Sequence, residues 1–263
     1  MSRLGRVISE FHAGARAFLR RRTAVFFTFF FPVIIVLIFG VLVQSQPTGG
    51  GLFAEPPGYY LPGYLAVVVL FTPLSRVGSE FARHRAGSRF EKLATTPLTR
   101  WEWLLAHTLV NVLVIGAASL LILVLVVALT GASVALGPHL LLLIPFVALG
   151  VTLFCGLGAV LGRLANSQDG VIAASNSVAL PLLFLSETFV TPALLPEWFR
   201  PVTAFSPLTY FARGVRYLTF NRVSVARVGA PEPTTLALYD LGVLGVLALA
   251  FFLAGAYAVP NSD

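Results

Sequence analysis

The sequence predicts an all-α integral membrane protein. It has six transmembrane helices, an N-terminal amphipathic helix at the membrane surface, and short re-entrant or interfacial helices before the last span. Three observations predict this. Of 263 residues, 57% are hydrophobic and only 11% are charged, against roughly 25% in soluble chains. That is too little polar surface to cover a soluble domain. Six apolar runs approach the roughly 20 residues that a spanning helix needs. Thirteen of the eighteen basic residues fall in the segments on one side of these runs, and 44–59 and 130–139 on the other side hold none. Because the runs are continuous rather than alternating, a β-barrel is excluded.

The first element is the amphipathic helix, within residues 1–23. Leu4, Val7, Ile8, Phe11, Ala15, Phe18 and Leu19 recur at three- and four-residue steps, with Arg3, Arg6, Glu10 and Arg16 between them. That spacing predicts a helix over 3–20 lying in the interface, its arginines near anionic headgroups. The alternative is a disordered basic leader that only sets topology. Residues 24–263 form a single transmembrane domain, with predicted spans Ala24–Val43, Tyr60–Val77, Leu104–Leu129, Leu140–Leu161, Val171–Val190 and Leu241–Val259. The first run is long and lacks a small-residue cleavage site, so it reads as an uncleaved anchor.

Between the second and third spans lies a cytoplasmic loop, 78–103. Glu80–Leu93 is predicted helical with a dense charged face, and Thr96-Pro97 breaks it, since proline removes a donor and restricts the residue before it. Thr99 then predicts an N-cap, with Glu102 three residues on completing a capping box. Alone, such a loop is either a solvated connector or a docking surface. In the fourth span, Gly158 and Gly162 form a G-x-x-x-G suited to close helix packing. The segment 191–240 is rich in proline, with apolar stretches too short to span. It reads as short helices dipping into the membrane or as an interfacial cap, and Trp198, Tyr210 and Tyr217 fit an aromatic belt.

Orientation follows from the basic residues. Thirteen of the eighteen fall in 1–23, 75–103 and at Arg163, and the other five in 191–240. Both termini are therefore placed in the cytoplasm of a multi-pass plasma-membrane protein. With the acids assigned by face, the net charge of +7 lies wholly on the cytoplasmic side. It is topology signal and lipid contact, and no polar stretch offers a basic face for nucleic acid.

Several chemistries are excluded. The only lysine, Lys92, lies between Glu91 and Leu93, so no phosphate-cradling Gly-Lys-Ser/Thr loop exists. No two histidines fall four apart, the lone Cys155 sits in an apolar run, and no G-x-S-x-G occurs, so neither a metal site nor a nucleophile elbow is predicted. An intramembrane enzyme would want clustered Asp or His near one interface, and the acids are dispersed. Polar groups inside spans are functional candidates by default. Asn111, Asn176 and Glu187 are the candidates for a translocation path, although Asn176 can equally hydrogen-bond between helices. The chain reads as a transporter-like subunit without its own energy source.

The stretch Arg89-Phe90-Glu91-Lys92-Leu93-Ala94-Thr95-Thr96-Pro97-Leu98-Thr99-Arg100-Trp101-Glu102 resembles the cytoplasmic loop of ABC-2 type permeases, in which a Glu-Leu helix precedes Thr-Pro-Leu-Ser/Thr-Arg and a further acid. Leu61-Pro62-Gly63, then Phe184-Leu185-Ser186, Leu195-Pro196-Glu197-Trp198-Phe199 and Ser206-Pro207-Leu208-Thr209-Tyr210, are similar to family stretches in the same order. Glu187 stands where the family usually has a small residue, and Arg85–Ser88 is less acidic than the usual start of the loop. The resemblance implies a permease half that pairs with a second permease copy and with two ATP-binding subunits. ATP and magnesium would be bound by those partners, and no cofactor by this chain. It implies that Arg89, Phe90, Glu91, Lys92, Leu93, Thr96, Pro97, Leu98, Arg100 and Glu102 couple to the ATPase, with Pro97 fixing the turn. The expected function is export of a hydrophobic or amphipathic cargo, a drug-like compound or lipid. A polysaccharide or glycolipid export permease is the alternative, and a scaffold without transport activity the more distant one.

Overall fold

The computed structural model describes residues 2–42, 55–132, 134, 137–190, 195–220 and 232–259. The expectations that rest on Val43, 44–54, Pro192, Arg222, Arg227, Pro231 and Asp263 lie outside these. All regular structure among the described residues is helical. The order is α1 (Arg3–Arg20), α2 (Arg22–Ile35, continued by a π-helical stretch Val36–Leu42), α3 (Leu61–Ala86), α4 (Arg89–Ala94), α5 (Arg100–Thr130), α6 (Leu143–Leu164), α7 (Gln168–Phe184), α8 (Pro207–Thr219) and α9 (Pro233–Ala258).

Five of the six predicted spans correspond to segments long and apolar enough to cross a membrane: Arg22–Leu42, Pro57–Ala86, Arg100–Thr130, Pro138–Leu164 and Pro233–Ala258. The remaining one folds as α7, 17 residues long, short of the roughly 20 of a full crossing. It ends at Phe184, before the expected Val190. Its last carbonyls, which a helix end leaves without intrahelical donors, and those of the turn after it are met from elsewhere. Ser206 Oγ donates to Leu182 O at 2.9 Å, and Arg216 Nη2 donates to Glu187 O at 2.6 Å. The short helices expected before the last span are present as the 3-10 turn Arg200–Phe205 and as α8, most of whose residues are buried.

The expected helix over Glu80–Leu93 is instead two elements. α3 continues unbroken to Ala86, Gly87 closes it, and Ser88 turns the chain with φ of 49° before α4 begins. A left-handed residue after a helix end reverses the chain, so the charged face is divided between the end of α3 and the start of α4.

α3 is the central helix. Leu61, Leu65, Val69, Leu70, Leu74 and Phe81 are 0–2% exposed. Its tightest neighbour is α6, where the predicted small-residue motif works as expected. A Cβ at Gly158 would lie 2.6 Å from Leu74 O, and one at Gly162 2.8 Å from Gly78 O. Hydrogen at these positions lets the two backbones touch. α6 meets α9 in the same way, since a Cβ at Gly255 would lie 2.6 Å from Gly156 O.

Candidate functional site

At one end of the bundle the chain gathers arginines onto helix C-termini. Arg85 donates to Arg163 O at 2.9 Å and to Ala165 O, capping α6. Arg163 donates to Tyr257 O and Ala258 O, each at 3.2 Å, capping α9, and Arg100 reaches Tyr257 O at 3.5 Å. These are the free carbonyls and negative dipole ends that favour cations. The starts of α1, α5 and α7 and the ends of α3, α6 and α9 share this end. Arg213 and Asp240 mark the other.

α1 lies across α5 here. Val7 and Phe18 of its apolar stripe are buried and Phe11 and Ala15 half-buried, whereas Leu4, Ile8 and Leu19 are exposed. The helix thus has one face for the protein and another for the lipid. Arg6 fastens it: Nη2 and Nε donate to the two oxygens of Glu102 at 2.6 and 3.1 Å. Farther along, Glu10 Oε1 stands 3.4 Å from His107 Nε2, and the imidazole holds the Glu10 carboxyl below its ordinary range. Arg21 reaches Glu80 at 3.3 Å. A cavity of about 80 Å³ remains under α1, where Arg76, Glu80, His107 and Asn111 meet apolar Phe18 and Val77.

The ten predicted coupling residues are brought together but divide by orientation. Arg89, Glu91, Lys92, Thr96 and Pro97 are exposed. Phe90, Leu93 and Leu98 turn inward onto the core. The ring of Phe90 lies 5.0 Å from Phe81, 5.5 Å from His84 and 5.4 Å from Trp103, so α4 is anchored to both α3 and α5. Thr95 and Thr96 hydroxyls donate to Lys92 O and Leu93 O at 2.8 and 2.6 Å, closing α4 before Pro97. The capping box forms as predicted, Thr99 N–H donating to Glu102 at 2.9 Å. Arg100 also stacks on Tyr257, 5.6 Å from the ring centre. Glu102 is fully buried and faces Arg6.

The three translocation candidates do not converge. Asn111 is buried beneath α1, its Nδ2 donating to His107 O at 2.8 Å while Oδ1 has no partner. Asn176 is exposed on α7, beside exposed Ser177. Glu187 is half-buried near the opposite end, where Thr203 Oγ1 donates to it at 3.3 Å. No three His, Cys, Asp or Glu side chains among the described residues could hold a metal.

From the sequence, Arg6 is assigned to topology and lipid headgroups, Arg85 and Glu80 to the charged face of the loop, and Arg163 to topology alone. Arg6 carried a usable sign, since it shares the 3–4 spacing of Val7, Glu10, Phe11 and Gly14 on the protein face of α1. Arg85 and Arg163 carried none, because their partners are distant in the chain. Buried Arg216, whose guanidinium lies 4.2 Å from the ring centre of Tyr59, was likewise read only as one of five outer bases.

The family model described as "ABC-2 type transporter" matches residues 10–220. The chain is similar to the daunorubicin resistance ABC transporter permease protein DrrB1 of Streptomyces coeruleorubidus, at 28% identity over 79% of this chain and 76% of that protein. It is also similar to the inner membrane transport permease YadH of Escherichia coli K12, at 26% identity over 82% of this chain and 79% of that protein.

Proposed function

The chain belongs to the ABC-2 type transporter family, and from that premise we propose that it is the transmembrane subunit of an ATP-driven exporter. Membership and the apolar spans make it a multi-pass membrane permease. The energy source is read onto separate ATP-binding subunits, which would carry the ATP and magnesium, because the chain's only lysine is not in a phosphate loop.

The observation that carries this reading is the build of α4. Its charged residues Arg89, Glu91 and Lys92 are exposed, while Phe90 is packed against Phe81 of α3 and Trp103 of α5. A push on the charged face would therefore move both spans together. The Arg6–Glu102 contact would carry α1 along. A mobile connector would not be anchored in this way.

A second permease copy is supported by α7. Asn176 is exposed on α7 beside Ser177, among exposed Ile172, Ala173 and Leu180, and a polar side chain facing hydrocarbon is costly. Covering that face with another copy, or lining a polar path with it, removes the cost. The scarcity of polar groups in the spans and the relative named for daunorubicin resistance support a drug-like, hydrophobic or amphipathic cargo. The basic end, with α1, is assigned to the cytoplasm of the plasma membrane by the positive-inside bias.

The test is co-expression with candidate ABC ATP-binding subunits from the same genome. The pair should purify together and hydrolyse ATP, and Arg89→Glu with Lys92→Glu should weaken both. An ATPase that never associates, or charge reversals without effect, would sink the reading.

A further inference from the structure

We propose that the chain binds an apolar small molecule of drug-like size, bearing one hydrogen-bond acceptor, in a lateral cavity between α3, α5 and α6. The cavity measures about 420 Å³, within the roughly 300–1,000 Å³ of small-molecule sites. Its floor is buried, with Leu65, Ser119 and Val147 at 2–7% exposure, while Leu120 and Ile144 on its rim are 62% and 67% exposed. It therefore opens sideways, where the bilayer lies, rather than toward either aqueous face. Along α5 the lining runs from Val112 to Leu123, about 16 Å at 1.5 Å per residue.

Two features say that this is more than a gap between helices. A Cβ added to Gly116, in the cavity wall, would meet nothing within 4 Å. The free space thus reaches the α5 backbone. Gly242 of α9 also meets nothing, but it is exposed, whereas Gly116 is half-buried and its free space is the cavity.

The second feature is Ser119. Hydroxyls inside spans ordinarily bond back to the carbonyl four residues earlier. Thr28, Thr130, Thr152 and Ser177 all do so here, at 2.5–2.9 Å. Ser119 does not. Its Oγ is buried and finds no hydrogen-bond partner among the described residues, on a cavity wall that is otherwise aliphatic. An unmet buried hydroxyl is unfavourable. A ligand acceptor opposite Ser119 relieves that cost, and a plain hydrocarbon chain does not. This distinguishes the inferred ligand from a bilayer acyl chain. The site goes beyond the export reading, because occupancy is measured on this chain alone and can fail while ATPase coupling stands.

Benzophenone is a fitting probe. It has two apolar rings and one carbonyl acceptor, and under ultraviolet light its carbonyl carbon bonds to a nearby C–H carbon while its oxygen takes the hydrogen. The full chain in phosphatidylcholine vesicles is irradiated with it, and adducts are mapped by peptide mass spectrometry. Adducts should concentrate on Val112–Leu123 and on Leu143–Val147, well above those at the exposed α9 residues Val246 and Leu249. Gly116→Leu should reduce cavity adducts to the α9 level. Ser119→Ala removes only the hydroxyl, keeps the test open should the leucine variant misfold, and should weaken half-maximal labelling by roughly two- to tenfold, the worth of one hydrogen bond. Wild-type adducts no denser in the cavity than on α9 would mean lipid chains hold the site, and would overturn the proposal. So would undiminished labelling in a folded Gly116→Leu protein.

Discussion

Arg6 on the surface helix grips Glu102 of α5 at two points, 2.6 and 3.1 Å, while the same Glu102 accepts the Thr99 N–H that begins α5. One carboxylate therefore starts a span and fastens another helix to it. Its side chain is fully buried and Arg6 is mostly so, which leaves little water to replace either partner. Glu102→Gln keeps a cap acceptor but removes the charge. It should release α1 while α5 stays folded, seen as faster amide exchange confined to residues 3–20. Equal exchange in variant and wild type would show that apolar packing alone holds α1.

Phe90 and Lys92 lie two residues apart and should fail in different ways. Phe90 is half-buried among Phe81, His84 and Trp103. Phe90→Ala should cost about 2 kcal/mol, less than the roughly 3–5 of a fully buried phenylalanine, and should lower thermal stability in detergent. Exposed Lys92→Glu should leave the melting temperature within a degree or so and act only on association with an ATP-binding partner. A Phe90→Ala protein with unchanged melting would remove the anchor from the argument.

Features set by neighbouring residues were legible in the sequence: the bounds of α1, the capping box at Thr99 and Glu102, and the apolar runs of five spans. The G-x-x-x-G of α6 was legible as a packing motif, though not its partner, the Leu74–Gly78 stretch of α3. What escaped depends on contacts between distant residues. Nothing local to Glu102 indicates Arg6, 96 residues earlier. Likewise the end of α7 is met by Ser206, which bonds Leu182 O, and the turn after it by Arg216, which bonds Glu187 O, and neither is near it in the chain. The division of Glu80–Leu93 had a local sign in Gly87-Ser88, outweighed by a charged pattern that runs across the break.

The pairing of Glu10 with His107 predicts a pH dependence. The folded state lowers the Glu10 pKa from its ordinary 4.5, so the carboxylate stabilises the fold fully above that value. That contribution is lost as pH falls through the depressed folded value. The contribution of Glu10 to the hold of α1 on α5 should therefore weaken as pH falls below its ordinary 4.5. Glu10→Gln should flatten this part of the profile in thermal melts. A Glu10→Gln melt as acid-sensitive as the wild type would assign the loss to other carboxylates.

Gly158 offers a steric test of the α3–α6 contact. The Cβ of an alanine there would lie 2.6 Å from Leu74 O, closer than any real side-chain carbon sits, and the obstacle is backbone that cannot swing aside. Overpacking of this kind costs about 1–3 kcal/mol or more. Gly158→Ala should therefore lower thermal stability, whereas Gly242→Ala in α9, where an added Cβ meets nothing within 4 Å, should leave it unchanged or raise it. Equal effects from the two would mean that α3 and α6 are not in backbone contact.

At the other end, Arg213 and Asp240 tie α8 to α9 through two bonds of 2.9 and 2.5 Å, with Asp240 only 1% exposed. Two charges taken from water gain little over an apolar pair, but one left alone is costly. Asp240→Ala should thus destabilise by about 1–3 kcal/mol, since the stranded guanidinium of Arg213 is 30% exposed and partly hydrated. The double change Arg213→Met with Asp240→Leu should recover most of that, since it strands neither partner. Recovery would show that the pair fixes how the short helix meets the last span rather than adding stability of its own. A double variant as unstable as Asp240→Ala would mean instead that the ion pair is itself the main bond between α8 and α9.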